Sequence, residues 1–137
     1  MKKLIFAGMV LALGTVNAIA DCSPSTKVNA SILAGQSINA SGGGENWKES
    51  HCGSGNSGEL WKVGAPAPLG GKLNVDPPKE IGTWSVTGKT VTYSYFGDSS
   101  SPYMWTLHQT TTDGPYSLCS GSTEITATLG SPVCSAP

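Results

Sequence analysis

The chain of 137 residues carries eight lysines and no arginine against nine acidic residues, so its formal net charge at pH 7 is −1. Phosphate groups and anionic lipid surfaces are bound by basic patches and arginine forks, so this composition argues against nucleic acid and membrane surfaces as partners. Charged residues make up only 12% of the chain and glycine contributes 18 residues, which is typical of exported β proteins.

The first twenty residues have the pattern of a secretory signal peptide. Two lysines precede an apolar run from Leu4 to Val16, and Ala18-Ile19-Ala20 has the form that signal peptidase cleaves. The run is shorter than the ~20 residues of a membrane-spanning helix, and no later segment of the sequence suits insertion into a membrane. We therefore predict a signal peptide over residues 1–20 and one mature domain over residues 21–137, secreted or periplasmic.

The first half of the mature chain is predicted to contain short strands separated by glycine-rich loops. Three segments have the composition or alternation of strands: Gln36 to Ala40, Glu45 to His51 and Glu59 to Val63. Glycine-rich residues 42–44 and 53–58 between them are typical of loops. Residues 65–79 are rich in proline and glycine and cannot form a central strand, so we predict a long ordered connection there.

Period-two alternation is strongest between Gly82 and Leu129, where apolar and hydroxyl side chains take opposite faces. The two-residue loop Gly88-Lys89 suits a type II′ turn, which would pair Val86 with Val91 and Trp84 with Tyr93. This pattern predicts a meander of about five antiparallel strands with one apolar face and one solvent-facing face. The apolar face would be formed by Trp84, Val86, Val91, Tyr93, Tyr95, Tyr103, Trp105, Leu107, Tyr116, Leu118, Ile125, Ala127 and Leu129.

The predicted elements define the fold class. Helical periodicity is scarce after the signal peptide, whereas strand patterns recur along the mature chain. The sequence therefore predicts an all-β fold. We expect a small antiparallel meander arranged as an up-and-down barrel or a sandwich of about seven to eight strands.

The four cysteines predict two structural disulfides, because an even number of cysteines follows a signal peptide. Cys22, Cys52, Cys119 and Cys134 allow three connectivities. We favour Cys22–Cys52 and Cys119–Cys134, since each pair would tie a terminal tail to the nearest part of the body. Zinc sites need closely spaced cysteine or histidine ligands, which the sequence lacks, so we predict no metal and no cofactor.

An ordered series of short motifs resembles a family of short, uncharacterised secreted bacterial proteins, for which no activity is known. The resemblance extends from about Glu45 to Cys134. Because the family has no known activity, the resemblance supports the fold prediction and implies no chemistry. The tripeptide Gly82-Thr83-Trp84 also resembles the Gly-x-Trp strand start of lipocalins and avidin-like barrels, where it opens the first strand. The series comprises Trp47-Lys48-Glu49-Ser50-His51, Leu60-Trp61, Asp76-Pro77, Ile81-Gly82-Thr83-Trp84-Ser85-Val86, Thr92-Tyr93-Ser94-Tyr95, Trp105-Thr106-Leu107-His108 and Tyr116-Ser117-Leu118-Cys119.

Candidate catalytic chemistry is limited to one pair of side chains. Glu49 and His51 share a strand face beside Trp47, and a carboxylate with an imidazole suits acid–base work or metal binding. The alternative is a solvated strand face beside a disulfide, and His108 is likewise expected to face solvent. Because no nucleophile or second base is placed with the pair, we assign no catalytic residue and predict no enzyme.

The aromatic residues give the leading functional hypothesis, a non-enzymatic module that binds a small ligand, a glycan or a peptide. Trp47 and Trp61 flank glycine loops and are expected to be partly exposed, so with Glu49 and His51 they are the candidate ligand-binding residues. The alternative is an inhibitor or shield against extracellular hydrolases that presents the proline-rich segment 65–78 to a protein partner. An enzyme using Glu49 and His51 ranks last.

Overall fold

Eight antiparallel strands form a closed barrel in a computed structural model that describes residues 22–63 and 77–136. The all-β prediction is confirmed, and the barrel replaces the sandwich as its arrangement. The predicted signal peptide and nearly all of the proline-rich connection lie outside the described residues. The strands are β1 (Ser37–Gly42), β2 (Glu45–Cys52), β3 (Ser57–Lys62), β4 (Lys79–Thr87), β5 (Thr90–Tyr95), β6 (Tyr103–Gln109), β7 (Tyr116–Ser120) and β8 (Thr123–Gly130).

Each strand pairs with the next one along the chain, and β8 closes the barrel by pairing with β1. The predicted β4–β5 hairpin is confirmed in detail, since Val86 pairs with Val91 and Trp84 pairs with Tyr93. Its short turn fixes the register, and period-two alternation then places the apolar side chains together inside the barrel. The three strands predicted in the first half correspond to β1, β2 and β3 within two residues at each end.

One end of the barrel is filled by an N-terminal plug, which we define as residues 22–36. It contains two short 3-10 helices, Pro24–Thr26 and Ala30–Leu33, and the side chains of Ala30 and Leu33 are fully buried in the core. The Ala30 amide donates to the Gly88 carbonyl at 3.0 Å, which places the second helix beside the β4–β5 turn. The plug therefore closes the end of the barrel at which β4 ends and β5 begins.

The side chain of His108 on β6 is covered where the plug runs beside this strand, which corrects one expectation. His108 points outwards as its strand position predicts, yet only 1% of its surface is exposed. Its ring nitrogens lie 2.9 Å from the Thr26 hydroxyl and 2.7 Å from the Thr106 hydroxyl. The expectation of a solvent-facing histidine was wrong, because alternation along a strand cannot reveal a separate segment packed over it.

The disulfides join Cys22 to Cys119 and Cys52 to Cys134, so the pairing favoured from the sequence was wrong. Closure of the barrel brings the C-terminal tail beside β2, where the Val133 amide donates to the Ser50 hydroxyl at 2.8 Å. The plug in turn runs beside β6. The cysteines that are closest along the chain are therefore not the ones that are closest in space. Both bridges are of the kind that persists in oxidising compartments.

Among residues 22–63 and 77–136, no helix has both the length and the apolar character that spanning a bilayer would require.

Candidate functional site

The barrel contains a cavity of about 400 Å³ at the end opposite the plug. Each of the strands β1–β8 contributes at least one lining residue, so the cavity lies inside the barrel. Glu45 and Tyr103 line it and are the first residues of β2 and β6, whereas the plug sits at the β4–β5 turn. Eight-stranded barrels have an interior of the size that side chains fill or that holds one small ligand. In this barrel, side chains and the plug fill one end, and the cavity lies at the other.

Aromatic side chains form much of the cavity wall. Among the described residues they are Trp47 on β2, Tyr93 and Tyr95 on β5, and Tyr103 and Trp105 on β6. The ring centroids of Tyr93 and Tyr95 are 6.3 Å apart, and those of Tyr95 and Tyr103 are 6.0 Å apart. The rings are therefore close enough to form a continuous surface. Branched aliphatic side chains complete the wall, namely Ile38, Ile81, Leu118 and Ile125.

Glu49 places a carboxyl group in this apolar wall. Its side chain is only 7% exposed, and the Tyr95 hydroxyl lies 3.3 and 3.2 Å from its two oxygens. Burial raises the pKa of Glu49 from 4.5 to about 7, although hydrogen bonds from Tyr95 and Trp47 act in the opposite direction. Removing a carboxylate from water disfavours its charged form, so this group titrates near neutrality instead of in acid.

His51 lies one layer deeper and is fully buried. Its Nδ1 is 3.1 Å from the Gln36 carbonyl oxygen, which can only accept, so Nδ1 carries the proton. Its Nε2 therefore accepts from the Tyr93 hydroxyl at 2.8 Å. Burial lowers the pKa of His51 from 6.5 to about 4, so the imidazole is neutral at physiological pH. The histidine thus fixes the orientation of Tyr93, which lines the cavity.

The four candidate residues from the sequence take different places. Trp47 and Glu49 line the cavity, and His51 lies below it on the same face of β2. The solvated strand face considered for Glu49 and His51 was wrong, because this face is the barrel interior. Trp61 lies outside the barrel, where its indole N–H donates to the Glu59 carboxylate at 2.8 Å. The structure therefore brings three of the four candidates to one region.

The strand pattern did not identify Tyr95, Tyr103 and Trp105 as cavity residues. Alternation placed all three on the apolar face, and the structure confirms that face. The missing information was the level at which core packing ends, because the same alternation continues from the filled end of the barrel to the open end. Lys62 was missed as well, and it lines the cavity opposite Glu49 in the β2–β3 register.

No protein family, curated protein or solved structure was found to match this chain. The resemblance to secreted bacterial proteins therefore stays a prediction. Within the part of the chain that the structure describes, no three histidine, cysteine or acidic side chains come together as a metal site would require.

The cavity combines a position inside the barrel, an aromatic surface and a small number of polar groups. Its volume of about 400 Å³ falls within the range of roughly 300–1,000 Å³ that is common for ligand sites. Charged residues of β2 and β3 line it together with Glu49, and they are Glu45, Lys48 and Lys62. An apolar ligand body would replace water against the rings, while these groups would orient its polar end.

Proposed function

We propose that this protein binds one small, largely apolar ligand in the open end of its barrel. The observation that carries the proposal is the interior cavity, whose wall is mostly aromatic and aliphatic and yet includes a buried carboxyl group. Burial of apolar ligand surface contributes about 25 cal/mol per Å² before the costs of association are subtracted. A preformed aromatic cavity lowers those costs, because few side chains must be ordered on binding.

The shape of the cavity favours a small ligand over a glycan chain or a peptide. Polymers need a groove that is open at both ends, whereas this cavity ends inside the barrel above Tyr93 and the plug. Trp61, the tryptophan that would have offered a surface platform, lies on the outer face of β3 and is engaged by Glu59. A compact molecule that enters through one opening fits this geometry.

The site supports a binding role better than an acid–base role for Glu49 and His51. Both ring nitrogens of His51 are hydrogen-bonded within the protein, and the ring is fully buried. The inhibitor hypothesis depends on segment 65–78, nearly all of which lies outside the described residues. As part of this proposal we place the protein in the periplasm or the medium, where its two disulfides would persist.

Replacing Trp47 by leucine should weaken binding of the neutral dye N-phenyl-1-naphthylamine by about tenfold, or ~1.4 kcal/mol, through lost aromatic contact. The measurement is a dye-fluorescence titration of the oxidised mature protein at pH 7. Trp61→Leu is the matched control, since it makes the same change on the outer face and should leave dye affinity within about twofold. Absence of dye binding by the unaltered protein, or equal losses in both variants, would rule out the cavity as the site.

A further inference from the structure

We propose that the ligand of this cavity carries a cationic amino group, which forms an ion pair with Glu49 while its apolar body lies against the aromatic wall. This inference rests on the proposed function and adds the chemical class of the ligand. It predicts that an amine is preferred over a neutral or anionic molecule of the same shape.

The first support is the unused hydrogen-bonding capacity of Glu49. An ionised carboxylate offers about four acceptor positions. Among the described residues, Tyr95 donates one proton to this carboxylate and Trp47 provides a second hydrogen bond. The group is only 7% exposed, and it lines the cavity. An ammonium group is a donor without any acceptor, and it would occupy the remaining positions.

The second support is the aromatic wall around the carboxyl group. Trp47, Tyr95, Tyr103 and Trp105 line the same cavity as Glu49. The faces of such rings attract cations, and the attraction strengthens when the cation has lost its water. A neutral ligand would use these rings only as apolar surface, whereas an amine would also use their electrostatic field. The wall and the carboxyl group therefore favour the same kind of ligand head group.

The third support concerns the competing charges. Lys62 pairs with Glu49 in the β2–β3 register and also lines the cavity. Burial raises the pKa of Glu49 to about 7, whereas the hydrogen bonds from Tyr95 and Trp47 act in the opposite direction. A cationic ligand group beside this carboxyl group would favour its charged form and offset the effect of burial. The other titratable groups around the cavity are Glu45 on β2, His51 below Glu49, Tyr93 and Tyr95 on β5, and Tyr103 on β6, and Lys48 is the neighbour of Glu49 along β2.

Affinity for an amine should depend on pH, because only the ionised form of Glu49 makes the ion pair. Binding should be strongest above pH 7 and weaken towards tenfold per pH unit as the pH falls below the pKa of about 7. A neutral ligand should show no such change. The amine itself stays protonated throughout, with a pKa near that of lysine at about 10.

The test compares 4-phenylbutylamine, 4-phenylbutanol and 4-phenylbutyrate, which share one body and differ in head-group charge. Calorimetric titration of the oxidised mature protein at pH 8 should show the amine binding at least about tenfold more tightly than the alcohol. Glu49→Gln should bring amine and alcohol within about twofold of each other and remove the pH dependence. Glu59→Gln is the matched control, a carboxyl on the outer face of β3, and should retain the preference.

The outcomes separate this inference from the proposed function. Binding of the alcohol by the Glu49→Gln variant shows that its cavity is intact. An amine that binds no better than the alcohol, including the case where neither binds, overturns the amine inference. If N-phenyl-1-naphthylamine still binds, the proposed function stands. Preference for 4-phenylbutyrate would also overturn the amine inference, and it would assign recognition of the head group to Lys62.

Discussion

Replacing Cys52 and Cys134 together by alanine should lower the free energy of unfolding by about 4.5 kcal/mol on chain-entropy grounds. The two residues are 82 positions apart, so the bridge removes a large loop-closure entropy from the unfolded chain. The total free energy of unfolding of a small domain is only about 5–15 kcal/mol, so this loss is a major part of its stability. Guanidinium unfolding without reductant, followed by tryptophan fluorescence, measures the difference.

The same set of variants tests the connectivity. Replacing Cys22 and Cys119 should cost a similar amount, because their separation is 97 residues, and should leave no free thiol. Replacing Cys22 and Cys52 together should instead break both bridges and leave two reactive thiols, on Cys119 and Cys134. If that last variant had no free thiol and kept one bridge, the pairing Cys119–Cys134 would be correct and the structure wrong at this point.

Local patterns were sufficient wherever a short turn linked two alternating strands. Gly88-Lys89 allows few backbone conformations, so the pairing of Val86 with Val91 and of Trp84 with Tyr93 followed from the turn alone. A shift of one residue would have turned every apolar side chain outwards, which strongly disfavours other registers. The β4–β5 hairpin was therefore predictable to the level of individual cross-strand pairs, whereas the later strands were predicted without their register.

Long-range features were not predictable in this way. The disulfide pairing depends on β8 closing against β1, because only this closure brings Cys134 to Cys52 at the end of β2. The burial of His108 depends on the plug, whose Thr26 hydroxyl reaches its ring. Neither contact leaves a periodic trace in the sequence, since each joins a strand to a segment that has no regular alternation.

The candidate site was predictable in part. Trp47 and Glu49 lie two residues apart on one strand, so their common face could be derived from the sequence, although not that this face was the interior. The outward position of Trp61 could not be derived, because the glycine-rich loop 53–56 allows several registers between β2 and β3. In addition, the pairing of β3 with β4 shifts register between Leu60 and Trp61, so regular alternation does not continue across this point.

Substituting Glu49 by glutamine should make stability strongly dependent on pH, whereas the unaltered protein should be nearly insensitive between about pH 4.5 and 6.5. Glu49 has its pKa raised from 4.5 to about 7 on folding, so its contribution to stability is present in acid and lost as the pH rises through that range. His51 has its pKa lowered from 6.5 to about 4, so its contribution is present above pH 6.5 and lost as the pH falls. The two slopes have opposite signs over the shared range and cancel.

Each single variant shows the pH dependence of stability that the other residue causes. In Glu49→Gln only His51 of the two residues still titrates. The free energy of unfolding should therefore rise by up to about 3 kcal/mol between pH 4 and pH 6.5. His51→Gln keeps a donor for Gln36 and an acceptor for Tyr93, and stability should fall by a similar amount between pH 4.5 and pH 7. Urea unfolding curves at four pH values across this range measure both slopes.

Parallel stability curves for the three proteins would show that neither group changes its pKa on folding, which would contradict the burial of both side chains. If only the stability curves of Glu49→Gln and the unaltered protein were parallel, the pKa of Glu49 would not change on folding, and its carboxyl group would be in contact with water. The carboxyl group would then be largely ionised at pH 6, and amine binding would lose its predicted decline below pH 7. The stability measurement therefore tests, without any ligand, the same ionisation on which recognition of a cation in the cavity depends.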